Sequence, residues 1–97
     1  MTIYEFSEFD SLLEIKLGPF TKAIKYLLPF LEQIHLNTGI TTFDLAERLD
    51  LSRKKMFRLV EALTERNIIY CTIRNGETYP ILTIKGREFM NYLENRR

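Results

Sequence analysis

The chain is poor in the residues on which most catalytic and metal-binding sites depend. It has a single cysteine, Cys71, among 97 residues, so no internal disulfide can form. It has a single histidine, His35, and no His/Cys cluster, which argues against a structural zinc site. No Ser/His/Asp set, phosphate-binding glycine loop or metal-ligand spacing is present, so neither catalysis nor a cofactor is expected. Glu5, Glu8, Asp10 and Glu14 read as a solvated acidic face, not as paired catalytic carboxylates. The longest uncharged apolar run is far too short to cross a bilayer. The N-terminus lacks the basic-then-apolar pattern of a signal peptide, so a cytoplasmic protein is expected. There is no repeat, low-complexity tract or Gly/Ser linker, and residues 1–97 are expected to form one domain.

What is present is a core-forming composition with an uneven charge distribution. Hydrophobic residues make up 45% and charged residues 28%, enough for one buried core under a charged surface. Net charge is only +1, but residues 1–50 carry four bases against eight acids, and residues 51–97 carry ten bases against five acids. The halves are therefore about −4 and +5, a polarity that favours one face for an anionic partner.

Hydrophobic spacing predicts the elements. Phe9, Leu12 and Leu13 share a helical face, so a helix is expected near 7–16. Gly18-Pro19 should break it, and Pro19 suits the first turn of a helix over 19–37. Phe20, Ala23, Ile24, Leu27, Leu28, Leu31 and Ile34 would form its buried stripe, with Pro29 kinking or splitting it. Asn37-Thr38-Gly39 ends it. Thr41 caps the next helix, with Asp44 at the third position and Ile40 stapled onto Leu45. Asp50-Leu51 is a turn. Ser52 then caps a helix to about Arg66, with Met56, Leu59, Val60 and Leu63 inward. Residues 68–74 alternate as a strand, Asn75-Gly76 signals a tight hairpin, and 77–82 return. Pro80 places that second strand at an edge. Thr83 caps a last helix over 84–95.

One helix start is charged against its own dipole. Arg53, Lys54 and Lys55 follow the Ser52 cap, at an end that already carries about half a positive elementary charge. Each cation there should cost a few tenths of a kcal/mol unless an anion docks. A nucleic-acid backbone is the expected anion.

Helix, short turn, helix, hairpin is the order of a winged helix-turn-helix, a mostly α fold with a small β-hairpin wing. Residues 40–87 resemble the DNA-binding domains of MarR-like and small archaeal winged-helix transcriptional regulators. Ile40 to Ser52 resembles their second helix and turn, and Arg53 to Ile69 their recognition helix and its exit. Leu82-Thr83-Ile84-Lys85-Gly86 resembles the Leu-Thr-x-x-Gly element that follows the wing. Two residues depart from the pattern. Asn67 replaces a usual glycine, which is tolerable because Asn visits the left-handed region. Phe57 replaces a small polar residue, and would either pack against the wing or meet thymine methyl groups.

The resemblance implies double-stranded DNA as partner, with Thr41, Thr42, Ser52, Arg53, Lys54, Lys55, Phe57, Arg58, Arg74 and Asn75 as contact residues. Arg53 or Arg58 would suit guanine, the lysines phosphates, and Arg74 the flanking minor groove or backbone. Residues 1–38 form a helical extension whose apolar content is read as a dimer interface, although these side chains would equally complete a monomeric core. Residues 40–83 would be the helix-turn-helix and wing, and residues 84–97 the C-terminal helix. The expected function is a homodimeric transcriptional regulator. A segregation adaptor on centromere-like repeats, and an interaction module without nucleic acid, are the alternatives.

Overall fold

A computed structural model describes residues 3–96, with side chains from Glu8 onward. The Glu5 side chain of the expected acidic face, and the other side chains of residues 1–7 in the expected dimer extension, lie outside the described residues, as does residue 97. The elements in order are α1 (Ile3–Leu12), β1 (Lys16–Gly18), β2 (Thr21–Lys22), α2 (Ile24–Leu36), α3 (Thr42–Leu49), α4 (Arg53–Glu65), β3 (Ile69–Arg74), β4 (Glu77–Leu82) and α5 (Ile84–Asn95). Two separate antiparallel hairpins, β1–β2 and β3–β4, complete the strands.

The first hairpin corrects the expectation for residues 7–37. Helix α1 ends at Leu12, and the chain tightens through three-residue turns from Leu13 to Ile15. Lys16 then pairs with Lys22, and Gly18-Pro19-Phe20-Thr21 makes the reversal. The Ala23 amide donates to the Ile15 carbonyl at 2.8 Å, closing the hairpin at its base. Gly18-Pro19 is therefore a turn inside a hairpin, not a helix start, and α2 begins five residues later than Pro19 at Ile24. Two members of the expected buried stripe are displaced as a result. Phe20 sits fully exposed at the apex and Ile24 is 43% exposed. Helix α2 runs unbroken past Pro29, which lies on its exposed side. The bond lost there belongs to the Lys25 carbonyl in the first turn, so the helix need not split.

The remaining elements form as their caps dictate. Thr41 Oγ1 accepts from the Asp44 amide at 3.1 Å and Ser52 Oγ from the Lys55 amide at 3.2 Å. Asp50 closes α3 in the left-handed region at φ 55°, and the Leu51 amide returns to the Ala46 carbonyl at 2.9 Å. Asn67 takes the same role after α4 at φ 61°. Asn75 and Gly76 both have positive φ, as a two-residue hairpin turn requires. The ladder runs Ile69↔Leu82 to Arg74↔Glu77, so Pro80 sits opposite Cys71 on a strand with a free outer edge.

The core is one cluster drawn from every helix. Phe9, Leu12, Leu17, Leu27, Phe30, Leu31, Leu45, Leu59, Leu63, Ile68, Ile69 and Phe89 are essentially fully buried. The Phe9 ring meets Phe89 at 5.1 Å and Tyr92 at 5.4 Å, which docks α1 on α5. A Lys85–Glu8 ion pair and a Tyr92 hydroxyl donating to Asp10 flank that contact. The apolar side chains of residues 9–31 are thus largely consumed within the protomer. Phe9, Leu12, Leu27, Phe30 and Leu31 form none of the surface a second copy would cover.

The Leu82-Thr83-x-x-Gly86 element has a specific structural reason. Thr83 Oγ1 lies 2.6 Å and 2.9 Å from the carbonyl oxygens of Asn67 and Ile68, to which it donates, and it accepts from the Gly86 amide at 2.9 Å. A β-carbon on Gly86 would lie 2.1 Å from the Ile68 carbonyl oxygen. That contact is with backbone and cannot be relieved by a side-chain rotation. Gly86→Ala is expected to destabilise the fold by about 1–3 kcal/mol, the usual range for forced overpacking. Urea denaturation measures it; an unchanged midpoint would show that α5 does not need this close approach.

Candidate nucleic-acid interface

The charge pattern of α4 runs against its dipole at both ends. Lys54, Arg58, Glu61 and Glu65 fall at helical spacing on the face opposite the buried Met56, Leu59 and Leu63. That outward stripe is cationic for two turns and acidic for the next two. The first turn holds no acid and the last turn no base. Lys54/Arg58 and Glu61/Glu65 are also like-charge pairs four residues apart, which weakens a helix further. Arg66, just past the end, offsets part of this by donating to the Ala62 carbonyl at 3.2 Å. Among the described residues no carboxylate forms an ion pair with Arg53, Lys54, Lys55 or Arg58. The cations are therefore presented to solvent, and only the first half of α4 is suited to a polyanion.

The two flanks of α4 differ. Arg53, Phe57, Val60 and Thr64 line an open groove of about 1080 Å³ between α4, α3 and the second hairpin. Phe43, Ala46 and Glu47 of α3 form its floor, and Cys71 and Thr78 its far wall. Phe57 is 64% exposed and Phe43 63%. Of the two alternatives for Phe57, burial against the hairpin is not what occurs; the ring stands in the groove. On the opposite flank, Lys54, Lys55 and Arg58 line a smaller cleft of about 330 Å³ with Leu17, Gly18 and Pro19 of the first hairpin. There Arg58 donates to the Leu17 carbonyl at 3.3 Å.

The expected contact residues separate into groups. Ser52, Arg53, Lys54, Lys55, Phe57 and Arg58 are brought together on the exposed start of α4. Thr41 is mostly buried and its hydroxyl oxygen accepts from the Asp44 amide, so it caps α3, and it also borders the groove. Thr42 is half-buried at the first helical position beside the groove. Asp44 stands in the first turn of α3, so that helix start is already compensated by an acid, unlike that of α4.

No protein-family model matches the sequence, and no curated protein matches it. Solved structures do resemble the fold. The structure of SSV1 F-93 is 23% identical over 72% of this chain and 82% of its own, with a TM-score of 0.60. A MepR variant from S. aureus bound to an oligodeoxyribonucleotide is 19% identical over 99% of this chain and 77% of its own, at 0.66. The PcaV transcriptional regulator of Streptomyces coelicolor is 14% identical over 96% of this chain and 64% of its own, at 0.69. The fold is a winged helix-turn-helix. In it α3 and α4 are the helix-turn-helix, β3–β4 the wing, and the second helix of the pair is the one that enters a DNA groove where such folds bind DNA.

The wing tip is less cationic than its sequence implied. Arg74 sits opposite Glu77, and its guanidinium lies 4.8 Å from the Tyr79 ring centroid. The Tyr79 hydroxyl donates to Glu77 at 3.1 Å, and this hydrogen bond is the main reason its pKa is raised. By strand alternation Arg74, Glu77 and Tyr79 share one face of the wing, while Cys71 and Thr78 share the face turned to the groove. Asn75 remains exposed at the tip. Two features escaped sequence reasoning: the β1–β2 hairpin beside α4, and the sign change along α4's outward stripe. The second was readable from helical spacing alone, since Glu61 and Glu65 lie seven and eleven residues after Lys54.

Among the described residues no three His, Cys, Asp or Glu are grouped to hold a metal, and no helix is long and apolar enough to cross a membrane. Burial pushes the Cys71 thiol up, and a hydrogen bond with Thr64 opposes this in part. A raised pKa leaves less thiolate at neutral pH than a free cysteine has, the reverse of a redox-sensing site. Cys71 is expected to react more slowly with a disulfide reagent at pH 7 than an unfolded control peptide. A faster reaction than the control would restore a sensing role.

Proposed function

We propose that this chain binds double-stranded DNA in a sequence-specific manner and acts as a transcriptional regulator in the cytoplasm, associated with the nucleoid. The observation that carries this reading is the start of α4, where Arg53, Lys54, Lys55 and Arg58 are concentrated without a partnering carboxylate among the described residues. Support also comes from the likeness to winged-helix regulators, one of them bound to an oligodeoxyribonucleotide. A major groove admits one helix, and its N-terminal residues reach base edges. Arg53 and Arg58 are the candidates for bidentate contacts to guanine, and Lys54 and Lys55 for phosphate. Ser52 and Thr42 would bring helix-start amides to the backbone. Phe57 would offer its exposed ring to thymine methyl groups. Arg74 and Asn75 would touch the flanking backbone from the wing. The acids Glu61 and Glu65 would hold the second half of α4 away from the phosphates. Pairing about a two-fold axis would place two such helices about one duplex turn apart. Its interface would draw on what the monomer core leaves uncovered of the N-terminal extension, residues 1–38.

Arg53→Glu with Lys54→Glu tests the site. The double variant is expected to abolish duplex binding in a gel-shift or anisotropy titration. Its thermal stability should hold or rise slightly, because each replaced cation removes a conflict on the order of 0.3–1 kcal/mol with the helix dipole. Retained affinity in a folded variant would reject α4 as the reading helix. If the unaltered protein fails to bind any duplex at low salt, the interaction-module reading stands instead. Exposed Phe43 and Phe57 in the groove are the observation that would then favour it.

A further inference from the structure

The flank of α4 away from the wing carries a second cationic element that the DNA reading does not yet use. Residues 16–22 hold Lys16 and Lys22 and no acid, and residues 52–58 hold four bases and no acid. The two segments touch. Arg58 donates to the Leu17 carbonyl at 3.3 Å, and Lys55 Cε lies 3.5 Å from where a β-carbon on Gly18 would be. Lys16 and Lys22 are direct cross-strand partners and both are exposed. Like charges placed directly opposite weaken a strand pair, so folding alone would not select this arrangement. Among the described residues neither lysine has a carboxylate at ion-pair distance. Lys16 and Lys22 thus stand on a hairpin whose 17–19 segment borders Lys54, Lys55 and Arg58.

We propose that the β1–β2 hairpin is a second backbone clamp, with Lys16 and Lys22 holding duplex phosphates on the side of α4 opposite the wing. The inference rests on the duplex-binding reading above. Its geometry follows from the two flanks of α4: the wing groove lies against Arg53, Phe57 and Thr64, and the hairpin cleft against Lys54, Lys55 and Arg58. A helix seated in a major groove has a phosphate strand on each side. The wing, with Arg74 opposed by Glu77, would face one strand, and the hairpin would face the other with uncompensated charge. Contacts of this kind fix register and raise affinity without reading sequence.

Lys16→Ala with Lys22→Ala is the test, titrated at several salt concentrations against a mixed-sequence duplex and against the best duplex recovered by selection. Binding to both duplexes should weaken by a similar factor, about tenfold, and the salt slope should fall by about two units per bound protomer. Circular dichroism should show an unchanged fold, with melting temperature held or raised. Lys16→Gln with Lys22→Gln keeps most of the side-chain stems and should give the same slope change if the alanine variant proves unstable. An unchanged slope and affinity, in a protein whose binding is still abolished by Arg53→Glu with Lys54→Glu, would remove the hairpin and leave the DNA reading intact. Failure of the unaltered protein to bind duplex would remove both.

Discussion

The placement of α4 depends on a junction at Ile68. Its amide donates to the Leu63 carbonyl at 2.9 Å, which ends the helix in an ordered exit. Its side chain is fully buried and its carbonyl receives the Thr83 amide at 3.1 Å as well as the Thr83 hydroxyl. Gly86 then presses its bare Cα side against that same carbonyl. One residue therefore anchors the end of α4, the base of the wing and the first turn of α5. A buried carbonyl with several donors is costly to leave unpaired, so the three elements hold together or separate together. The orientation of α4 relative to the wing follows from this junction, and so does the width of the groove between them.

The stability gained at that junction offsets a helix that is poorly designed for its own sake. Lys54 in the first turn of α4 and Glu65 in the last each sit at the less favoured end of the dipole. Isolated helices of this length are marginal in water even with favourable charges. Burial of Met56, Leu59 and Leu63, at a general value of roughly 1.5–3 kcal/mol for each large apolar side chain, outweighs charge terms of a few tenths. Packing therefore holds the helix while leaving its surface free to be chosen for something else. A surface chosen against folding, on a helix secured from behind, is the arrangement expected of a recognition element.

The sequence revealed the elements whose signals are local. Thr41, Ser52 and Thr83 each announced a helix start through a side chain that caps its own third residue, and all three caps form. Asn67 and Asn75-Gly76 announced left-handed backbone, which is found at each. Residues 16–22 were opaque because Gly18-Pro19 is equally a helix entry and a turn, and strands of three and two residues are too short for alternation to register. What settles that segment is non-local: the hydrogen bond from Arg58 spans 41 positions in the chain. The candidate site was legible at its centre and not at its margins, for the same reason. Charge and cap at the start of α4 are sequence properties. The burial of Thr41, the placing of Arg74 opposite Glu77 and over Tyr79, and the exposure of Phe57 depend on what the fold sets beside them.

The apolar content of the first thirty residues shows why composition alone does not separate a dimer interface from a larger core. A stretch with many aromatic and aliphatic side chains implies either a second copy or a larger core. Here the rings of Phe9, Phe89 and Tyr92 interlock within one chain, and Leu12, Leu17, Leu27 and Phe30 are buried with them. The large apolar side chains left uncovered are dispersed: Phe20 at the first hairpin's apex, Leu36 at the end of α2, Ile73 on the wing and Ile84 at the start of α5. Among the described residues Phe43 and Phe57 line one groove together, and that groove adjoins the cationic start of α4. An apolar surface beside unpaired positive charge fits a ligand with both phosphates and flat or methyl-bearing faces, which is the surface chemistry of a DNA major groove. On the duplex-binding reading proposed above, the acids that line the groove, Glu61 and Glu65 among them, would bound the footprint by repulsion.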